Sequence, residues 1–366
     1  MPGVGTKKLV RHVSFDSSAG VSLASSPLGR APEGGLLARV TMAGVCGTDA
    51  HRIRGALAPT PEPVSFGHEA VGVVIEVGAG TVADWVGSPI AVGDRIVWFP
   101  ASGCRRCYAC IVLRNESMCE GRAWPPPSAT PNAAGFREVA VLHPHIVFRK
   151  IDSSVPDEAL VAFGCALPTA VAGVERLGGI PVAGNVVVQG SGPVGLAFVL
   201  LARLAGARNI ILIGAPSARL ALGVSLGATA VFDIATTSVA ERRAAVLEVT
   251  GGRGSEVVIE AAGQLTAFPE GLNLVARSGR YLIAGLYAGD ATVDFNPVAV
   301  NRGNLSMLGS LVVNAEHMLR AVELVDMYHE TFDFKRFVDQ RFSLSSTHAA
   351  IDSMARGMAT KVVIVP

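Results

Sequence analysis

A glycine-rich turn at residues 190–195 lies between a short apolar run at 185–189 and a second apolar run that ends near Leu204. Its sequence is Gly190-Ser191-Gly192-Pro193-Val194-Gly195, which has G-x-G-x-x-G spacing. That spacing alone occurs by chance, whereas a turn between a strand and a helix predicts a pyrophosphate-binding loop. Gly190 would permit the tight turn, Gly192 the approach of a dinucleotide pyrophosphate, and Gly195 close packing of the helix, whose N-terminus favours the anion. A structural turn without a ligand is the alternative.

Apolar runs and amphipathic segments alternate on both sides of this turn. We predict strands at 185–189, 209–213, 230–232, 257–260 and 281–284, and helices at 194–204, 219–226 and 240–250. This alternation is typical of a doubly wound parallel sheet, so the fold class is α/β. The first 150 residues differ, because prolines and glycines interrupt short β-rich runs every few residues, as in a small β-barrel.

The overall charge is nearly balanced, with 31 Lys and Arg against 30 Asp and Glu, and half of the residues are apolar. This composition argues against a nucleic-acid partner and against a disordered chain. No apolar run reaches membrane-spanning length, and residues 1–8 lack the apolar core of a signal peptide. We therefore expect a cytoplasmic protein without a membrane partner.

The predicted second strand of the sheet lacks the acidic residue that usually binds the adenosine ribose of NAD. It ends in Gly214, followed by Ala-Pro-Ser-Ala and Arg219. Ser217 and Arg219 would accept the 2′-phosphate of NADP, or Arg219 would cover the ribose of NAD, or both residues are solvated at a helix start. The choice between NAD and NADP stays open at this point.

Four of the six cysteines lie within sixteen residues, at Cys104, Cys107, Cys110 and Cys119. Disulfides are the alternative, but a long chain without an export signal favours metal ligation. Four thiolates predict a closed tetrahedral zinc site with a structural role.

A second set of candidate ligands is dispersed along the chain. Cys46, His68 and Cys165 would each, taken alone, be an ordinary buried side chain. Together they form a soft shell with one free coordination position, which catalytic zinc requires.

These motifs resemble the medium-chain dehydrogenase/reductase superfamily, in its zinc-dependent alcohol dehydrogenase branch. The resemblance runs nearly from end to end and includes Gly-Val-Cys46-Gly-Thr48-Asp49, Gly67-His68-Glu69, the cysteine lobe, Cys165, the 190–195 turn and Ile259-Glu260-Ala-Ala-Gly263. It implies a GroES-like barrel with the zinc sites at 1–167, a Rossmann domain at 168–309, and a return to the first domain at 310–366.

The resemblance also implies roles for individual residues. Cys46, His68 and Cys165 would bind catalytic zinc, and Glu69 would lie beside the metal and approach it during ligand exchange. Asp49 would orient His68, as carboxylates commonly do for metal-bound histidines. Thr48 would take the proton of the alcohol and His51 would pass it to solvent, since histidine exchanges protons near neutral pH.

Two departures from the family pattern are visible. Eight residues separate Cys110 from Cys119 where seven are usual, and Gly214 replaces the common acidic residue. NADP-using relatives share the second departure, but Arg219 occupies a position that is basic in NAD-using relatives, so NAD is slightly favoured.

The expected activity is hydride transfer between an alcohol and NAD(P), with two zinc ions per chain. The substrate would be a secondary alcohol, cyclic or polyol-like, or the matching ketone or aldehyde, in a pocket near Leu57, Phe99, Trp124 and the segment after Leu308. By resemblance we also expect a homodimer or homotetramer. The rival interpretations are a zinc-free reductase of activated double bonds and a non-catalytic dinucleotide-binding protein.

Overall fold

The computed structural model describes residues 8–57, 62–100, 102–121, 126–128, 132–152, 154–288, 292–311, 313–357 and 359–366. The chain divides into two compact units, the first made of residues 1–165 and 314–366 and the second of residues 166–313. Within the described ranges, no helix is both long and apolar enough to cross a membrane.

Short strands dominate the N-terminal part of the first unit. In chain order its elements are β1 (Leu9–Asp16), β2 (Gly20–Pro27), β3 (Leu36–Val45), α1 (Gly47–Ile53), β4 (Ala70–Val77), β5 (Arg95–Phe99), α2 (Tyr108–Ile111), β6 (Val139–Leu142), β7 (Val147–Lys150) and α3 (Asp157–Ala162). The predicted β-rich character of this region is therefore confirmed.

The second unit alternates helices and strands. Its elements are α4 (Ala166–Arg176), β8 (Asn185–Gln189), α5 (Pro193–Leu204), β9 (Asn209–Gly214), α6 (Ser217–Leu226), β10 (Ala230–Asp233), α7 (Val239–Val249), β11 (Ser255–Glu260), α8 (Ala267–Leu272), β12 (Val275–Ile283), α9 (Pro297–Gly303) and β13 (Ser306–Gly309).

The strands of the second unit form a parallel sheet in the order β10-β9-β8-β11-β12-β13, six strands among the described residues. The order reverses between β8 and β11, which is the switch point where ligands bind in such sheets. The predicted doubly wound sheet is confirmed. The sequence prediction missed β13, because four residues are too few to give a periodic apolar pattern.

The chain then returns to the first unit through α10 (Ala315–Phe332), β14 (Val338–Ser343), α11 (Thr347–Ala355) and β15 (Lys361–Val365). Strand β15 pairs antiparallel with β3 and parallel with β14. Among the described residues the sheet has seven strands, with the path β14-β15-β3-β4-β5-β7 and β6 paired to β3. Its core includes the buried side chains of Leu36, Trp98 and Phe136. Residues 362–364 pair with residues 43–45, and this pairing brings the side chain of Lys361 to Gly44.

Candidate active site

Helix α1 begins directly after strand β3, and Cys46 is the residue that caps it. The Thr48 backbone N–H donates to Cys46 Sγ at 3.4 Å, and the Cys46 N–H donates to Asp49 Oδ2 at 2.9 Å. These reciprocal bonds satisfy two backbone donors that a helix start otherwise leaves unpaired. They also fix the thiol where the helix dipole favours a thiolate.

Four potential metal ligands converge beside this cap. One ligand atom from each of Cys46, His68, Glu69 and Cys165 lies within 4.8 Å of the others. The two sulfur atoms are 3.4 Å apart, although the two cysteines are separated by 119 positions in the sequence. Two thiols and an imidazole are typical zinc ligands and unsuitable for calcium or magnesium, so these residues fit zinc.

The electrostatics of this cluster favour a cation. The hydrogen bond between the two thiols lowers the pKa of Cys46 well below its usual value and raises that of Cys165. Burial acts to lower the pKa of His68, but the negative charges of Cys46 and Asp49 outweigh it and raise the pKa to about 10. The same negative potential would attract a metal ion.

Asp49 is buried beside His68, on the inner side of α1. Its Oδ1 lies 3.7 Å from His68 Nδ1, close to the ring but longer than a hydrogen bond. Burial raises the pKa of Asp49 to about 7. The structure thus brings Asp49 to the histidine that it was expected to orient.

Glu69 is buried behind the cysteines and has a partner on each carboxylate oxygen. The Cys165 N–H donates to Oε1 at 2.8 Å, and Lys361 Nζ donates to Oε2. Sequence reasoning missed Lys361. A lysine at the start of the apolar strand Lys-Val-Val-Ile-Val is the signal that could have found it, since buried lysines need a partner.

Thr48 and His51, the predicted proton-relay pair, share the outer side of α1. The Cys46 thiol donates to Thr48 Oγ1 at 3.5 Å, and His51 lies half-buried one turn further along the helix. Thr48, Arg52 and His68 line one side of a small pocket that opens here. Of the expected pocket walls, Leu57 is half-buried and Phe99 is buried, while Trp124 lies outside the described residues.

The cysteine lobe brings its four sulfur atoms together despite the extra residue. Sulfur atoms of Cys104, Cys107, Cys110 and Cys119 lie within 4.8 Å of one another, and none of the six cysteines forms a disulfide. The backbone turns at Arg114, whose φ of 50° lies in the left-handed region, so the longer segment folds back to Cys119.

Two polar side chains organise this lobe from within the first unit. Glu116 accepts the Gly103 N–H at 3.1 Å and binds the Arg105 guanidinium at 3.2 Å. Asn314 accepts the Glu116 N–H at 2.8 Å and donates to the Arg114 carbonyl at 2.7 Å. Neither residue was singled out from the sequence, and the partners of Asn314 lie 198 and 200 positions earlier in the chain.

In the second unit, the 190–195 turn has the geometry that its glycines predict. Gly190 has a φ of 108°, and a Cβ there would lie 2.7 Å from the Ala261 carbonyl carbon. A Cβ at Gly195 would overlap the carbonyl oxygen of Gly190. At Gly192, which caps α5, a Cβ would have no described atom within 4 Å, so space for a ligand is left there. Pro193 and Val194 begin the helix, half-buried.

The end of β9 explains why Gly214 carries no carboxylate. A Cβ at Gly214 would lie 2.6 Å from the Ser191 hydroxyl oxygen, and that hydroxyl donates to the Ala215 carbonyl at 2.8 Å. The end of the strand and the glycine turn are therefore packed too closely for any side chain at position 214. Arg219 lies half-buried in the first turn of α6, which has no acidic residue.

Two family models match the chain. Residues 32–152 match the alcohol dehydrogenase GroES-like domain, and residues 193–327 match the zinc-binding dehydrogenase domain. The chain is 37% identical to 5-exo-hydroxycamphor dehydrogenase of Pseudomonas putida over 331 residues, which are 90% of this chain and 91% of that protein. It is 28% identical to L-threonine 3-dehydrogenase of Pyrococcus horikoshii over 81% of each chain.

Solved structures agree with these matches. An alcohol dehydrogenase from Thermotoga maritima superimposes with a TM-score of 0.91 at 29% identity, covering 98% of this chain and 99% of that one. A protein from Sinorhizobium meliloti 1021, solved with NADP bound, gives a TM-score of 0.85 at 28% identity, covering 98% of this chain and 100% of that one. The chain therefore belongs to the zinc-dependent alcohol dehydrogenase branch of the medium-chain dehydrogenase/reductase superfamily, and it is an NAD(P)-dependent oxidoreductase that acts on alcohols.

Proposed function

We propose that this enzyme oxidises a secondary, cyclic alcohol at a zinc ion held by Cys46, His68 and Cys165. The observation that carries the proposal is the convergence of these three side chains at one point beside Thr48. Three protein ligands leave the fourth position of a tetrahedral shell for the substrate, which is how catalytic zinc sites are built.

The protein's own residues would transfer the proton and hold the metal ligands in place. A bound zinc supplies Lewis acidity that polarises the substrate oxygen. The Thr48 hydroxyl lies next to Cys46 and would accept the alcohol proton, and His51, one turn along α1, would pass that proton to solvent. Asp49 and Glu69 would hold His68 and the Cys165 backbone in place.

A second zinc in the cysteine lobe belongs to the same proposal. Four converging sulfur atoms support it, and the four-residue shell leaves no position for a substrate. Its role would be structural: to hold the loop between Cys104 and Cys119 in one conformation.

The dinucleotide would bind at the 190–195 turn, with its pyrophosphate at the start of α5. We propose NAD as the preferred form, with Arg219 covering the adenosine ribose. The NADP-bound relative and the missing carboxylate at Gly214 are the observations on the other side. Comparison of kcat/KM with NAD and NADP tests the preference, and a higher value with NADP would reverse it.

The substrate class follows from the relative named for 5-exo-hydroxycamphor, a bicyclic secondary alcohol. The test is a panel of bicyclic, monocyclic, linear secondary and polyol substrates, followed by the absorbance of reduced nicotinamide. We expect the bicyclic and monocyclic alcohols to give the highest kcat/KM. A preference for polyols or linear alcohols would contradict the proposed class.

Paired cysteine variants test the two zinc assignments. We expect Cys46→Ser to lose turnover and one zinc per chain while it still binds the dinucleotide. Cys107→Ser is the matched control, since it removes the same group from the other site; it should lose the other zinc and thermal stability but retain turnover at low temperature. If Cys46→Ser keeps full turnover, the catalytic assignment is wrong.

We also propose a homodimer or homotetramer, by analogy with the family. Analytical ultracentrifugation tests it directly, and a monomer at micromolar concentration would contradict it.

A further inference from the structure

A fully buried lysine stands directly behind the proposed catalytic metal site. Lys361 is 1% exposed, and its Nζ contacts Glu69 Oε2. Burial of an ammonium group costs several kcal/mol unless a partner of opposite charge compensates it. Glu69 is that partner, so the reason for the buried lysine must be sought in the surroundings of this carboxylate.

The Glu69 carboxylate lies in a slot that two glycines keep free. A Cβ at Gly44, on strand β3, or at Gly164, just before Cys165, would overlap the carboxylate. Lys361 and the Cys165 N–H occupy its two oxygens. The slot holds the carboxylate close to the cysteines, with an ammonium group on one oxygen and an amide on the other.

This carboxylate is near enough to be a ligand itself. One of its oxygens lies within 4.8 Å of ligand atoms of Cys46, His68 and Cys165. A zinc ion bound by two thiolates and one imidazole has no net charge, and the Glu69–Lys361 pair has none either. Without the ammonium, a buried carboxylate that keeps only the Cys165 amide as a partner would face a zinc ion with a free coordination position, and binding to the metal would compensate its charge.

We propose that Lys361 is a positioning residue that holds Glu69 out of the metal shell and thereby keeps the fourth coordination position open for the substrate. The proposal rests on the assignment of Cys46, His68 and Cys165 as zinc ligands made above. It assigns to the last strand of the chain a role in ligand exchange at the metal.

The test uses the full-length protein with cobalt(II) in place of zinc, and imidazole as the external ligand. Imidazole binds only to a site with an open position, so the change in the visible absorption of cobalt when imidazole is added reports this site and not the cysteine lobe. The variants are Lys361→Met, Glu69→Gln and the double variant with both changes. Metal content and dinucleotide affinity are measured for each.

We expect Lys361→Met to weaken imidazole binding by at least about tenfold, in the range that residues behind metal ligands commonly contribute. The double variant should regain an affinity within about threefold of the wild type, because no carboxylate remains to occupy the position. Glu69→Gln leaves the ammonium unpaired near the metal, so its cobalt should be lost to EDTA about tenfold faster.

Unchanged imidazole affinity in Lys361→Met would overturn the proposal, and so would an equal loss in the double variant, since a merely structural lysine predicts that loss. If Lys361→Met does not fold, an unchanged EDTA release rate in Glu69→Gln overturns it instead. A wild-type cobalt protein that shows no response to imidazole would contradict the metal assignment itself, which is a separate failure.

Discussion

Two glycines of the 190–195 turn predict opposite consequences of the same substitution. At Gly192 a Cβ has no described neighbour within 4 Å and φ is −73°, so alanine fits the folded chain. At Gly195 the Cβ would overlap the Gly190 carbonyl oxygen, so the start of α5 must move away from the turn. The lack of a side chain at Gly192 thus leaves space for the ligand, and the lack of one at Gly195 allows the helix to pack against the turn.

The expected magnitudes follow from these contacts. In Gly192→Ala the methyl group would hold the pyrophosphate off the backbone; loss of one hydrogen bond to a charged group costs about 1.5–3 kcal/mol. That corresponds to a dinucleotide Kd raised about 10- to 150-fold, with little change in Tm. Overpacking in Gly195→Ala costs about 1–3 kcal/mol of folding free energy, or roughly 2–12 °C in Tm.

Two measurements on each variant separate these effects. Titration of the reduced dinucleotide by fluorescence gives Kd, and differential scanning fluorimetry at a fixed protein and zinc concentration gives Tm. The reasoning is refuted if Gly192→Ala binds the dinucleotide as tightly as the wild type, or if it melts as early as Gly195→Ala.

Three further predictions concern stability. Burial, and then the charge of Arg137, lowers the pKa of His12 below 6.5, so the stability that neutral His12 contributes is present above pH 6.5 and lost as the pH falls through the pKa of the folded state. His12→Phe should therefore flatten the fall of Tm between pH 7 and pH 5, and a fall as steep as that of the wild type would contradict this. Glu270 accepts two hydrogen bonds from the Arg242 guanidinium, at 2.7 and 2.9 Å, and both side chains are buried. Glu270→Ala should therefore lower the free energy of unfolding by about 3–5 kcal/mol, and the double substitution of Glu270→Leu with Arg242→Met should lower it clearly less. Equal unfolding midpoints in urea for the two variants would count against the buried pair. Asn314→Ala removes two hydrogen bonds to the cysteine lobe, so it should lower the free energy of unfolding by about 1–2 kcal/mol and speed the loss of one zinc to EDTA. A release rate equal to that of the wild type would show that Asn314 does not hold the lobe.

Local patterns predicted the parts of the fold that depend on neighbouring residues. Strand β8 occupies 185–189, as predicted, because an uninterrupted apolar run between glycine or polar residues marks a buried strand. Strand β13 was not predicted, because it has only four residues and is partly exposed. Strand β12 starts at Val275 rather than near Tyr281, since glycine and arginine interrupt its apolar pattern.

The candidate site could be predicted only in part for a similar reason. Sequence spacing brings Cys104, Cys107, Cys110 and Cys119 together, because they are close along the chain. It does not bring Cys46 to Cys165, and only the family resemblance joined them. The contact of Lys361 with Glu69 spans 292 positions and depends on the pairing of β15 with β3, which no local pattern contains.

Zinc-dependent oxidation of an alcohol is the central claim, and removal and return of the metal tests it most directly. The enzyme is stripped of zinc with a chelator at low temperature, and reduced nicotinamide is followed at its absorbance with NAD and a bicyclic secondary alcohol. Turnover should vanish in the stripped protein, whose dinucleotide affinity stays near that of the wild type, and it should return when zinc is added. Turnover that persists without zinc would contradict the account.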